Sequence, residues 1–316
     1  MSAAKQRGRG ESSPVGRLIR RRFAAAACAL LAAIAPSGAR RTAAEEVATS
    51  RPSLFPAPFV AERRVTEYDA GDRVEHQTPT VTEHYGGSHL VASAGGEDRT
   101  IVDFARREIT EVSVTKGTYW VLSFGRMREL RERLARADAA ASGASPKPAA
   151  RTGAASGQQP PRIQVVDVAA SARPGPLSTG ARHVRASAAG SSLAVDAWVD
   201  GRVRLGAEAR DALRNLETEA LGPVGSERPE AAELLAAARD FVEGAFPVRV
   251  RRPVLDADGR ASGGAVEDEV VRLEPLASFP GKLLVVPEGL KRVASPLEAM
   301  VAVAEEDAAL RQGRAR

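Results

Sequence analysis

The residues best suited to metal ligation or nucleophilic chemistry in this chain are four histidines, His76, His84, His89 and His183, and one cysteine, Cys28. His84 and His89 flank Tyr85-Gly86-Gly87-Ser88, so they are not an i,i+4 helical pair, and the usual zinc-protease spacing is missing. On a strand, residues five apart point to opposite faces unless a turn intervenes. The two glycines permit such a turn, and Glu83 and Asp98 are the acids that would complete a site. The pattern favours solvated loop histidines, and no metal site is assigned. Asp256-Ala257-Asp258-Gly259 resembles part of a calcium loop but lacks the remaining ligands, so it reads as a hairpin turn. The sequence has no Gly-x-Ser-x-Gly elbow, phosphate-binding loop or dinucleotide fingerprint. It therefore assigns no catalytic residue and no cofactor. Tyr68, Tyr85, Tyr119, Trp120, Phe124 and Trp198 are the large aromatics in strand-like segments. They either fill a core or line an apolar cavity. In the second case Tyr119, Val121, Trp198 and Leu284 are the candidate ligand-binding residues.

Charge and hydropathy decide where such a domain would work. The chain carries 45 basic and 40 acidic residues, a formal charge of +5, and a sequence pI near 9.8. The excess sits at the start. Lys5, Arg7, Arg9, Arg17, Arg20, Arg21 and Arg22 face only Glu11 within residues 1–39, which leaves 38 basic and 39 acidic residues after them. A near-neutral body has no electrostatic reason to bind a polyanion, so nucleic acid is excluded as a partner. The basic stretch ends in Arg20-Arg21-Arg22-Phe23. It is followed by the apolar run FAAAACALLAAIA and then by small residues at Pro36-Ser37-Gly38-Ala39. That is the layout of a cleaved secretory signal over residues 1–39, and the paired arginines before Phe resemble the twin-arginine signal. The expected location is periplasmic or secreted. Cys28 lies inside the apolar run, so lipidation there is the minor alternative. Once the leader is cleaved the chain has no cysteine, no disulfide and no thiolate site, and no later run is long enough to span a membrane.

The elements behind the candidates follow from periodicity. Residues 40–58 read as a flexible approach. Val65–Tyr68, Val81–Tyr85, Ile101–Phe104, Glu108–Val114 and Tyr119–Phe124 alternate as strands, and a helix follows with Met127, Leu130 and Leu134 on one stripe. Residues 138–161 are a low-complexity insertion poor in core-forming side chains. Strand patterns resume at 162–168 and 192–199, then a helical stripe from Leu205 to Ala220 and a second helix opening at Pro229. Three strand candidates follow, at Phe246–Val254, Val266–Leu273 and Leu283–Val286. Pro247 and Pro253 suggest an edge position for the first. Ser295-Pro296-x-Glu298 is a capping box opening a C-terminal helix over 294–316.

Several of these segments carry a resemblance. They are Val195-Asp196-Ala197-Trp198-Val199, Gly244-Ala245-Phe246-Pro247-Val248-Arg249, and Leu283–Val286 with Pro287-Glu288-Gly289-Leu290-Lys291. Together with Ile101-Val102-Asp103-Phe104 and Tyr119-Trp120, they resemble the DUF4412 group of exported bacterial proteins. That group is similar in outline to the periplasmic lipoprotein carriers of the LolA/LolB type. The resemblance covers residues 60–293. Members often carry a Gly-Cys pair before the Trp strand, whereas residues 184–192 here hold no cysteine. The order of elements reads as α+β with antiparallel strands over 59–293, and the resemblance implies that they form an antiparallel, incomplete β-barrel, or half-barrel, wrapped on helices, with an apolar concave face. It implies no catalytic residues.

The expected function is that of a non-enzymatic exported envelope protein binding or carrying a lipid or other hydrophobic ligand. The first alternative is a structural or protein-interaction domain of the envelope, in which the same residues fill a core. The second is a hydrolase with a dispersed site, which needs His76, His84 or His183 to converge with an acid.

Overall fold

A computed structural model describes residues 53–141, 163–168, 181–188, 193–216, 244–255 and 261–314, together with 177, 234, 237 and 241. The leader, residues 142–161 of the low-complexity insertion and the Asp256–Gly259 turn lie outside the described residues, and of the helix expected from Pro229 only Leu234, Ala237 and Phe241 are described, each of them helical.

The chain starts at the centre of a sheet. β1 (Phe55–Tyr68) is followed outward by β3 (Val81–Gly87), β4 (His89–Ser93), β5 (Arg99–Asp103), β6 (Glu108–Ser113) and β7 (Thr118–Ser123), each antiparallel to the last. The short β2 (Val74–Gln77) pairs with the end of β1. Helix α1 (Phe124–Ala141) leaves β7, and the chain re-enters at the far edge with β8 (Ile163–Asp167). It then returns inward through β9 (Arg182–Ala188), β10 (Ala194–Arg204), β11 (Ala245–Leu255) and β12 (Ala261–Pro275), with α2 (Ala207–Asn215) between β10 and β11. β12 closes the second meander against β1. Finally β13 (Lys291–Arg292) adds to β7 in parallel, and α3 (Pro296–Arg314) packs on α1.

The expectation of a half-barrel wrapped on helices is overturned. The described residues form one open, mixed sheet of 13 strands with three helices. Its order runs β13-β7-β6-β5-β4-β3-β1-β12-β11-β10-β9-β8, and the two ends do not pair. The alternating strands were legible as antiparallel, but alternation carries no information on closure.

Two smaller expectations also change. β11 is interior, between β10 and β12, despite Pro247 and Pro253. Its register slips near both prolines, at Trp198/Val199 on the β10 side and at Pro253/Leu255 on the β12 side. Such irregularities accommodate a residue that cannot donate to the ladder. Leu283–Val286 is not a strand, because Gly281–Leu284 forms one 3-10 turn in an otherwise irregular segment. β1 also begins at Phe55, within the approach segment expected to be flexible to residue 58.

Burial follows the alternation. A row of directly opposed residues, Phe59, Tyr85, Leu90, Val102, Ile109 and Leu122, crosses six strands on the inner face and belongs to the main core. Phe124, Met127 and Leu130 of α1, Ala209 and Leu213 of α2, and Val301 of α3 complete that core. The capping box is present at the start of α3. The Glu298 N–H donates to Ser295 Oγ at 3.2 Å, and the Ser295 N–H donates to the Glu298 carboxylate at 2.9 Å.

Candidate functional site

The aromatic side chains of the inner face pack directly on one another. Tyr85 stacks on Phe59 at 4.5 Å between ring centroids, and Phe55 and Phe246 meet that pair edge-on at 5.3 Å, Phe55 against Tyr85 and Phe246 against Phe59. Phe104 packs on Phe55 at 5.9 Å. Each of the five rings is buried. Offset and edge-on packing of this kind adds roughly 0.5–1.5 kcal/mol per pair beyond area burial.

Beside this aromatic group lies a buried ionic cluster. Arg63 donates to Glu83 at 3.2 Å and to Asp268 at 2.8 Å, and the Tyr85 hydroxyl donates to Glu83 at 2.8 Å. Burial pushes the Glu83 carboxyl above its ordinary range, against the pull of Arg63 and Tyr85. For Arg63, burial opposes the charge, but Asp268 and Glu83 outweigh it and keep the guanidinium charged. The second oxygen of Glu83 has no hydrogen-bond partner among the described residues. A pair of this kind fixes register more than it stabilises.

A second group surrounds Trp198. His183 lies flat on its indole at 4.2 Å with an interplanar angle of 10°, and the Arg249 guanidinium sits 4.7 Å from the ring centre. His183 Nε2 is 2.9 Å from Asp196, whose two oxygens also accept from Arg185 at 2.8 and 2.9 Å. Arg249 donates to Glu267 at 2.8 Å, and Arg251 reaches the same carboxylate at 3.4 Å. The carboxylates here are occupied by guanidinium groups, which neutralise them and fix their positions.

Of the three histidines the hydrolase reading names, His183 on β9 does meet an acid, Asp196 at 2.9 Å, an acid that Arg185 also occupies, while His76 is on the exposed β2 and His84 is on β3. Glu83 faces the inner core, while Asp98 accepts from Ser113 and Thr115, so neither joins His84 and His89 in a site. His89 instead approaches Asp103 at 3.7 Å. Among the described residues, no three His, Cys, Asp or Glu side chains form a group able to hold a metal ion.

The sequence-predicted ligand residues divide between the faces. Cross-strand pairing sets Val60, His84, Val91, Ile101, Thr110 and Val121 in one row on the outer face. Arg99, Val112 and Tyr119 form a neighbouring row on the same face. Leu284 belongs to the segment covering it: Phe279, Leu283, Leu284, Val286 and Leu290 pack over Val91, Ile101 and Val112. Tyr119 and Val121 are half-buried at the β7 end of this face. Thus Tyr119, Val121 and Leu284 share a surface, whereas Trp198 is buried in the main core.

The covering segment, residues 276–290, is an irregular strap. It enters where the Leu276 N–H donates to the Pro58 carbonyl at 2.8 Å. Arg99 holds its middle, donating to the carbonyls of Leu283 at 2.9 Å and Val285 at 2.6 Å. It leaves through β13, where the Lys291 and Val293 N–H groups donate to Gly117 and Tyr119, both at 2.9 Å. Phe279 lies against Gly86, where an added Cβ would stand 2.5 Å from the ring. Glycine is required there for close approach. Sequence reasoning named Leu284, did not single out Arg99, and read Gly86 only as part of a turn. The glycine pair was the available signal for a close approach on β3.

No known protein-family model matches the chain, and no curated protein matches it. Among solved structures, it is similar to an uncharacterized conserved protein from Thermus thermophilus, with 8% identity and a TM-score of 0.32, over 75% of this chain and 90% of that one. It is also similar to PNGF-II, with 6% identity and a TM-score of 0.33, over 79% of this chain; the chain spans about a third of PNGF-II, 33% of its length. Likenesses this distant carry no functional argument. Among the described residues, no helix is long and apolar enough to cross a membrane.

Proposed function

We propose that this chain is an exported, non-enzymatic envelope protein acting as a structural or protein-interaction domain. The observation that carries this reading is the filled inner face. Five buried rings, in contact from Phe104 through Phe55, Tyr85 and Phe59 to Phe246, pack on one another as a core does. Trp198, the aromatic anchor of the carrier reading, is sandwiched between His183 and Arg249 and is only 7% exposed. The basic leader and the neutral body support the export part of the proposal.

A second reading, binding of a lipid or other hydrophobic ligand, is favoured by one feature. Half-buried Tyr119 and Val121 extend the outer apolar face past the strap. Native mass spectrometry before and after organic extraction separates the two. The interaction reading expects the same mass in both, with no uptake of added fatty acid or phospholipid. Loss of a discrete lipid mass on extraction would overturn it.

A further inference from the structure

The strap describes what the outer face can bind. Its apolar side chains, Phe279, Leu283, Leu284, Val286 and Leu290, sit on Val91, Ile101 and Val112 without forming a helix or strand of their own beyond one 3-10 turn. Its middle is held by one side chain, Arg99, acting on two backbone carbonyls. Those bonds are made to backbone carbonyls, one in the 3-10 turn and one just after it, and so do not depend on side-chain identity. Its exit strand, β13, pairs with only Thr118 and Tyr119 of the six-residue β7. Trp120 to Ser123 are therefore left outside the β7–β13 ladder, although an edge strand can be extended by any chain of matching direction. Val285, in the middle of the strap, is 61% exposed, so its side chain points away from the face and adds nothing to the strap's hold on it. Segments with few backbone bonds to their neighbours open at lower free energy than the strands they cover.

We propose that residues 276–293 are a displaceable occupant of a partner-binding face, and that the partner is an extended apolar segment of another polypeptide. The incoming segment packs alternate apolar side chains on Val91, Ile101 and Val112. It offers two carbonyls to Arg99 and runs parallel to β7, pairing along more of that strand than β13 does. The inference rests on the interaction-domain reading and names the surface that reading uses.

The test uses the full chain and a fluorescent synthetic peptide with the sequence of residues 276–293, followed by anisotropy. Phe279→Ala and Leu284→Ala weaken the resident strap while leaving the face intact. Because apparent affinity scales with the fraction of open protein, each variant should bind the peptide about tenfold tighter than the parent chain. Adding Ile101→Lys to either variant should abolish binding. Circular dichroism and the exchange of β1 and β12 amides report that each variant is folded. Folded variants that bind no tighter than the parent overturn the proposal, and so does binding that survives Ile101→Lys. A dimer formed by the loosened variants without peptide would make a second copy the occupant and would also overturn it. Native mass spectrometry on the same preparations separates the two levels. A bound lipid sinks the interaction reading itself, whereas no lipid and no peptide sinks only the strap inference.

Discussion

Gly86→Ala is the sharpest perturbation of the strap, because it alters neither the strap nor the inner core. The new methyl would stand 2.5, 2.7 and 2.8 Å from Cδ2, Cβ and Cγ of Phe279. Ordinary carbon contacts lie near 3.5–4.0 Å, so the ring must retreat by about 1 Å. Phe279 Cβ is among the atoms hit, so rotating the ring does not relieve the clash. Overpacking of this kind costs roughly 1–3 kcal/mol. If the loss falls on the closed strap, its opening equilibrium rises about 5- to 150-fold. The amides of Leu283, Val285, Lys291 and Val293, bonded within or at the end of the strap, report this by hydrogen exchange. Their exchange should quicken by that factor, while β9 and β10 amides that exchange through their own local openings keep their rates. The trans peptide should also bind the variant no better than the parent, since the methyl blocks the incoming segment as well. Unchanged exchange across residues 281–293 would refute the claim that Phe279 seated on Gly86 holds the strap.

Three further outcomes follow from the buried and capping groups. Glu267→Gln removes the charge shared by Arg249 and Arg251 at a position 5% exposed. Breaking one side of such a cluster should lower unfolding stability by about 3–5 kcal/mol in urea, with Trp fluorescence as a local probe. Ser295→Ala removes the cap on α3 and should cost about 0.5–2 kcal/mol, read as an earlier thermal transition. On the acid side, the Ser295 N–H and hydroxyl hold Glu298 below the usual range. At Asp98, burial pushes upward, but the Thr115 N–H and the Ser113 and Thr115 hydroxyls outweigh it. Carboxyls depressed in the folded state contribute stability above their unfolded pKa, near 4, and lose it as pH falls through the folded value. The melting temperature should therefore drop from about pH 4 downward, and less steeply in Asp98→Asn.

How much of this was legible in the sequence depended on range. Ser295-Pro296-x-Glu298 is a local pattern, and its capping bonds were predictable from spacing alone. The alternation of β3 through β7 fixes which residues share a face, and it sets Tyr119 and Val121 on the same one. Local pattern failed where partners come from far along the chain. Arg63 and Asp268, or Arg99 and Leu283, are brought together only by the pairing of β1 with β12 and the return of the strap. Leu283–Val286 looked like a strand because four β-forming residues adjoin. The side chains of this run instead pack flat on an existing face and its carbonyls are taken by Arg99. Trp198 was grouped with Tyr119, Val121 and Leu284 as lining of one apolar cavity, by its chemistry. Its place between His183 and Arg249 needed the registers of β9 to β11.

The central claim, a packed interior with binding confined to the outer face, is tested most directly by tryptophan quenching with a brominated fatty acid. Trp120 and Trp198 are the only tryptophans of the chain, and both lie in the main core at 8% and 7% exposure. A packed interior predicts that their emission is quenched no more than in a control with the unbrominated fatty acid. Saturable, stoichiometric quenching that disappears in Trp198→Phe would place an acyl chain inside the fold and contradict it.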